Sequence, residues 1–277
     1  MITLDFTGKT VLITGATKGI GLACAQIFAQ AGAQTVITYK WGSADMDAIT
    51  REFVGMGAPA PLFIQADVSV DEDTDKVMDA IAKIAKGVDI FISNVGYAAT
   101  MKTLDDYKKR SLFKTLEYST WPMIEYTRRI KSKFGKYPAK VVGISSDGPD
   151  HFYTGYDFVA ASKSLLEFFG KYLSVHLFKE GCRVNVIRFG SVKTESFTTI
   201  FGEEFFDYLI ESGTATPEMI LLPEECGKSV FALCSGLMDA VNGQVLNVDY
   251  GLPFMDNSMM RFLSYKAQKE AAAKAAP

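Results

Sequence analysis

A phenol and an amine, Tyr156 and Lys163, stand seven positions apart in the stretch Gly155-Tyr-Asp-Phe-Val-Ala-Ala-Ser-Lys163. A phenol can donate to an oxygen that gains negative charge, and a neighbouring ammonium can stabilise that charge. On a helix seven residues are about two turns, so the two side chains share nearly one face roughly 10 Å apart along the axis. Gly155 places Tyr156 at or just before the helix start, from which the phenol leans back toward a reacting group.

The pair needs a scaffold, and the beginning of the chain supplies its first part. An apolar run, Val11-Leu12-Ile13, leads into Thr14-Gly15-Ala16-Thr17-Lys18-Gly19-Ile20-Gly21 and then into the helix-like Leu22–Phe28. This is the order strand, glycine turn, helix. Gly15, Gly19 and Gly21 allow a tight turn and close approach of a pyrophosphate to free N–H groups at the helix N-terminus, with Thr17, Lys18 and Ile20 in the same turn. A dinucleotide site is the expectation. Strands near 10–14, 34–39, 61–66, 88–93, 139–145, 182–188 and 244–248 alternate with helical segments, which predicts an α/β, Rossmann-type doubly wound parallel sheet of about seven strands in a single domain. Ligands in such sheets sit beyond the carboxyl ends of the strands.

The end of the second strand bears on the cofactor. An acidic residue there would accept from the 2′-hydroxyl of NAD; the chain instead reads Val36-Ile37-Thr38-Tyr39-Lys40. With Tyr39 at the strand end, Lys40 and Lys18 are placed to neutralise a 2′-phosphate, which favours NADPH (NADP+), although a lysine is a less specific phosphate partner than a forked guanidinium.

The glycine turn, Asp67-Val68 after the third strand, Ser93-Asn94-Val95-Gly96 after the fourth, Ser145-Ser146 after the fifth and Lys163 on the next helix together resemble the short-chain dehydrogenase/reductase family, over about residues 7–251. The resemblance implies strand order 3-2-1-4-5-6-7. It also implies that Asp67 accepts from the adenine amino group, Val68 packs on the ring, and Asn94 and Gly96 line the adenine ribose. Lys163 then binds the nicotinamide ribose, and Gly190, Val192 and Thr194 form the nicotinamide turn, with Phe189 where the family has proline. Ser146 falls where the family places a serine beside the reacting carbonyl; its alternative is a strand-end hydroxyl bonded to local backbone.

Two departures narrow the chemistry. The family's usual Tyr-x3-Lys puts a phenol at position 159, and here that residue is Val159, which cannot donate a proton. The Tyr-x6-Lys spacing is similar to that of the enoyl-acyl-carrier-protein reductases. In enoyl reduction the charge develops on a thioester oxygen two bonds from the carbon that receives hydride, so the donor should stand farther out. The second departure is the absence of the family's asparagine on the helix near 106–116, where Thr115 or Lys114 takes its place. Tyr153 and His151 are rival donors in the loop. The implied function is NADPH-dependent reduction of an enoyl thioester, on coenzyme A or an acyl carrier protein. A carbonyl reductase using Tyr156, and a non-catalytic NADPH-binding partner of a biosynthetic complex, remain alternatives.

Residues 192–215 are expected to cover the substrate, with Phe197, Phe201, Phe205 and Tyr208 at helical spacing. Residues 252–277 form a C-terminal extension, its first part suited to a subunit interface and 264–277 to an exposed helical tail. The family resemblance implies a homotetramer or homodimer. A net charge of −3 argues against nucleic acid. Four cysteines without ligand spacing and only two histidines argue against a metal and for reduced core thiols. No apolar run long enough to span a membrane appears, and a cytoplasmic protein is expected.

Overall fold

Four consecutive buried residues, Thr10–Ile13, form β1 at the centre of the sheet, and their side chains divide between its two faces. Val11 and Ile13 join Phe28, Ile37, Ile92 and Val230 on one side. Leu12 joins Phe91, Tyr126, Val141, Leu166 and Val184 on the other. A strand buried on both faces is the signature of a parallel sheet sandwiched between helices. The computed structural model describes residues 4–42 and 44–275, with side chains described to residue 271.

The strands are β1, β2 (Gln34–Tyr39), β3 (Leu62–Gln65), β4 (Ile90–Ser93), β5 (Lys140–Ser146), β6 (Arg183–Phe189) and β7 (Val245–Val248). They form one sheet in the order β3-β2-β1-β4-β5-β6-β7, with every pairing parallel. The fold is therefore the single-domain Rossmann-type sheet expected from the alternation of elements. The helices are α1 (Gly19–Gln30), α2 (Met46–Gly55), α3 (Asp71–Ala82), α4 (Lys109–Ser119), α5 (Trp121–Phe134), α6 (Asp157–His176), α7 (Glu195–Phe201), α8 (Phe205–Glu211), α9 (Pro223–Cys234), α10 (Leu252–Met255) and α11 (Ser258–Ala275). Order reverses between β1 and β4, which opens a crevice at their C-terminal ends.

Two expectations are revised. The aromatic stripe of 197–208 does not lie on one helix, because Gly202 at φ +96° ends α7 and the chain restarts as α8. Phe206 and Leu209 are buried, whereas Tyr208 points to solvent. The C-terminal extension divides at 256–257: α10 ends at Met255 and α11 begins at Ser258, so the exposed helix starts six residues earlier than the tail boundary at 264. The last two residues of that tail, 276–277, lie outside the described residues. All four cysteines are free and buried. Among the described residues no helix is long and apolar enough to cross a membrane.

Candidate active site

The glycine turn between β1 and α1 is built for close approach. Gly15 (φ +63°) and Gly19 (φ +58°) occupy the left-handed region that suits glycine. A Cβ on Gly21 would sit 2.7 Å from Asn94 Nδ2 and 2.8 Å from both Ala16 Cα and the Gly15 carbonyl oxygen. The Asn94 amide donates to the carbonyls of Thr14 and Gly15, both at 3.0 Å, so this side chain pins the turn to the end of β4. Both of its amide N–H bonds are thus used in shaping the turn. At α1 the N-cap residue Lys18 makes no side-chain cap bond, and the first turn carries no acidic residue. N–H groups left without an internal partner, with the positive helix end behind them, fit a pyrophosphate. The residues present therefore suit a nicotinamide dinucleotide.

The two lysines assigned to a 2′-phosphate each hold a carboxylate. Lys40 Nζ lies 2.5 Å from Asp67 and donates to Tyr118 OH at 2.6 Å, and Tyr118 OH donates to Asp67 at 2.8 Å. Burial raises the Asp67 carboxyl, but the Lys40, Ser69 and Tyr118 hydrogen bonds outweigh it and bring the pKa down to about 2. The same contacts hold the Lys40 ammonium above its ordinary range. Asp67 is thus engaged on several sides, and Val68 beside it is buried. Lys18 reaches across the crevice to Glu195 at 2.8 Å. Thr194 caps α7 through its hydroxyl, and its methyl would lie 3.7 Å from a Cβ on Gly19. The turn of Gly190–Thr194 consequently packs on the glycine turn, and an isolated bridge between Val192 and Leu221 fixes it from below. Thr17, Ile20 and Tyr39 are half-buried around this crevice.

Tyr156 is the N-cap of α6. Its hydroxyl donates to Ser146 Oγ at 3.3 Å, which joins the helix start to the end of β5. Burial lifts the phenol above its ordinary range, partly offset by that hydrogen bond, so it stays protonated at neutral pH. Lys163 is buried, and its Nζ donates to the Ile144 carbonyl at 2.7 Å. Burial lowers its pKa to about 8, against the opposing Glu167 charge. Gly96 faces that amine, 3.7 Å from where its Cβ would be. Val159 is buried and Thr115 bonds back to the Ser111 carbonyl, so neither offers a proton.

The rival phenol is otherwise engaged. Tyr153 OH donates to Asp147 at 2.7 Å, and His151 is exposed with Nδ1 3.1 Å from the Asp147 carbonyl oxygen. Tyr153 and Tyr156 meet edge to face at 5.9 Å, and Phe201 from α7 stands 6.0 Å from Tyr156 and 6.3 Å from Tyr153. Phe197 packs against Phe201, the ring centres 4.7 Å apart and the planes tilted by 39°. The aromatic segment of 192–215 therefore does meet the two phenols.

Sequence reasoning passed over Glu167, Arg188 and Tyr118. A glutamate on the buried face of α6 and an arginine near the end of the mostly buried β6 each require a partner, and that requirement was the available signal. Among the described residues no group of three or more His, Cys, Asp or Glu is arranged to hold a metal.

A family model described as enoyl-(acyl carrier protein) reductase matches residues 15–253. The enoyl-[acyl-carrier-protein] reductase [NADH] of Aquifex aeolicus is 27% identical over 255 residues, covering 90% of this chain and 92% of that protein. The 3β-hydroxysteroid dehydrogenase 1 of Eggerthella lenta is 28% identical over 259 residues, covering 90% and 95%. The solved L-sorbose reductase of Gluconobacter frateurii, complexed with NADPH and L-sorbose, superposes with a TM-score of 0.79 at 23% identity over 92% of this chain and 100% of that one, a likeness of fold. With its glycine turn, its buried lysine on α6 and a family match along most of its length, the chain belongs to the short-chain dehydrogenase/reductase family of nicotinamide-dependent oxidoreductases.

Proposed function

We propose that this oxidoreductase reduces the carbon–carbon double bond of an enoyl thioester with NADPH. The observation that carries the reading is the position of the phenol. Tyr156 sits at the first turn of α6 with its hydroxyl on Ser146, while position 159, one turn before Lys163, holds a buried valine. The bound cofactor supplies hydride to the β carbon of the substrate. Tyr156 holds its proton at Oη and donates a hydrogen bond to the thioester oxygen as that oxygen gains charge; the α carbon of the resulting enolate then takes a proton from Tyr156 or water, which completes the reduction. One preorganised donor of this kind is worth on the order of 3 kcal/mol. In the structure the Tyr156 proton goes to Ser146 Oγ; once it turns to the thioester oxygen, the Ser146 hydroxyl is free to donate its own proton to the same oxygen or to Tyr156 Oη. Lys163 binds the nicotinamide ribose and adds positive charge beside the oxyanion, and Phe197 and Phe201 exclude water above it.

NADPH, and not NADH, is supported by Lys40 and by the lack of an acidic residue at the end of β2. The relatives divide on this point, since the Aquifex aeolicus reductase carries NADH in its name. One observation favours a second reading: a serine hydroxyl bonded to a phenol would also serve a ketone, and the relatives include a hydroxysteroid dehydrogenase. The test is oxidation of NADPH, followed by its near-ultraviolet absorbance, with crotonyl and longer enoyl thioesters beside matched β-ketoacyl thioesters. Turnover of the enoyl series alone is the expected result; turnover of the β-ketoacyl series alone overturns it in favour of carbonyl reduction.

A further inference from the structure

Behind the two candidate catalytic side chains runs a buried chain of charges that takes no part in the hydride and proton chemistry. Glu167 lies one helical turn beyond Lys163 on α6 and is buried. Its Oε1 accepts from the Ser145 hydroxyl at 2.6 Å. Arg188 grips the same carboxylate with two nitrogens, Nε to Oε1 and Nη2 to Oε2, each at 2.6 Å. The remaining arm of the guanidinium reaches Asp150 in the loop after β5. The side chains of Arg188 and Glu167 are 14% and 8% exposed, so water screens the pair little.

The placement of the four groups gives the network its meaning. Ser145 precedes Ser146 at the end of β5, Arg188 stands two residues before Gly190 at the head of the nicotinamide turn, and Asp150 belongs to the loop that leads to Tyr156. A two-pronged guanidinium–carboxylate contact has a fixed planar geometry. It therefore ties together the ends of β5 and β6, the catalytic helix and the loop. We propose that Glu167 is a positioning residue: its two-pronged bond to Arg188 holds the strand ends that carry Ser146 and the nicotinamide turn, and its carboxylate, one helical turn beyond Lys163, seats the buried amine. This rests on the reading of Lys163 as the ribose anchor.

The groups around Lys163 are few. On α6 they are Tyr156 and Glu167, and from β5 the contact is the Ile144 carbonyl. Arg188 from β6 touches Glu167, and Asp147, Asp150 and Tyr153 come from the loop after β5. Gly96 is the neighbour after β4, and α4 packs on α6 with Thr115, Tyr118 and Ser119 as its buried residues. Glu167 is the charge that acts against burial to keep the Lys163 proton.

Two single variants with opposite charge effects separate this role from simple packing. Glu167→Gln keeps the side-chain shape and an acceptor for Ser145 but removes the negative charge. Arg188→Met leaves that charge without its counter-ion. The readout is NADPH affinity of the protein alone, by fluorescence quenching, as pH rises through the Lys163 titration. In Glu167→Gln the alkaline loss of affinity is expected to begin at a pH lower by roughly 1 unit, the smaller end of what one neighbouring charge does. In Arg188→Met it is expected to begin at a higher pH, and the double variant is expected to lie between the two. An unmoved limb in Glu167→Gln overturns the proposal, even if Arg188→Met fails to fold, and so do shifts of one sign in both single variants. Lys163→Met serves as the control. If the wild-type limb survives in it, the assignment of Lys163 to the ribose fails and the proposal with it. Failure of the enoyl reading alone is distinguishable, since it removes turnover of the enoyl thioesters and leaves the binding limb intact.

Discussion

The Tyr156 hydroxyl donates to Ser146 Oγ at 3.3 Å, across a loop of nine residues that also carries Tyr153. Tyr153 is turned away to Asp147 at 2.7 Å. Of two phenols three positions apart, one therefore faces the end of β5 and the other braces the loop. Replacing Tyr156 by Phe is expected to lower kcat for enoyl reduction by about 10²-fold or more, the cost of one oxyanion donor, with NADPH affinity little changed. Tyr153→Phe is expected to change kcat far less. Steady-state kinetics on both variants checks the assignment, and a larger loss in Tyr153→Phe would reverse the roles of the two phenols.

The cofactor pocket offers a second test, because Lys40 is bonded to Asp67 and Tyr118 rather than free. A 2′-phosphate that arrives here joins an existing triangle and competes with the Asp67 carboxylate for the ammonium. Lys40→Met should weaken NADPH about tenfold, the value of a hydrogen bond to a charged group, and leave NADH nearly unchanged. Asp67→Asn removes the competitor and should tighten NADPH. Titration of both cofactors against both variants decides the matter. Equal losses for NADPH and NADH in Lys40→Met would show that the lysine supports the pocket without reading the phosphate.

Much of the fold was legible in the sequence because parallel strands buried on both faces produce apolar runs that cannot be solvated. All seven strands lie within two residues of where those runs place them, and the order implied by the family resemblance is the order observed. The pairing of charges was not legible. Lys18 with Glu195 spans 177 positions and Lys40 with Asp67 joins the ends of two strands, and such partners are set by the folded chain, not by spacing. The break at Gly202 was missed for another reason. Helical spacing of aromatic residues persists across a left-handed glycine that interrupts the helix itself.

Tyr250 provides a test of stability away from the crevice. It lies just after β7 at φ +54°, the one residue other than glycine with positive φ among the described residues, and half of its surface is exposed. The left-handed conformation costs a side chain about 1–2 kcal/mol, which glycine avoids. Glycine has more unfolded-state freedom to lose, so the net gain in Tyr250→Gly is expected to be about 0.5–1 kcal/mol. Urea denaturation at equilibrium measures it. A destabilised variant would mean that contacts of the phenol ring outweigh the backbone strain.

Lys163 gives the sharpest pH test because its burial has a definite sign. Its pKa in the folded chain is about 8, below the 10.5 of a free lysine, so the charged form is the one that folding disfavours. Below pH 8 the amine is charged in both states and the full cost is present. Between about pH 8 and 10.5 the folded state releases its proton first, and stability recovers. A difference of about 2.5 units corresponds to roughly 3 kcal/mol, an upper figure because the bond to the Ile144 carbonyl offsets part of it. Lys163→Met, which keeps the apolar stem, is therefore expected to be more stable than the wild type at neutral pH, with the advantage fading as the pH approaches 10.5. The same variant is expected to lose NADPH affinity and turnover. A charge retained at a cost in stability is what a ribose anchor requires, whereas a lysine kept only for packing would show no such exchange. Chemical denaturation of both proteins across this pH range, beside cofactor titrations, distinguishes the two: a variant that is less stable at neutral pH, or that binds NADPH as well as the wild type, removes Lys163 from the site.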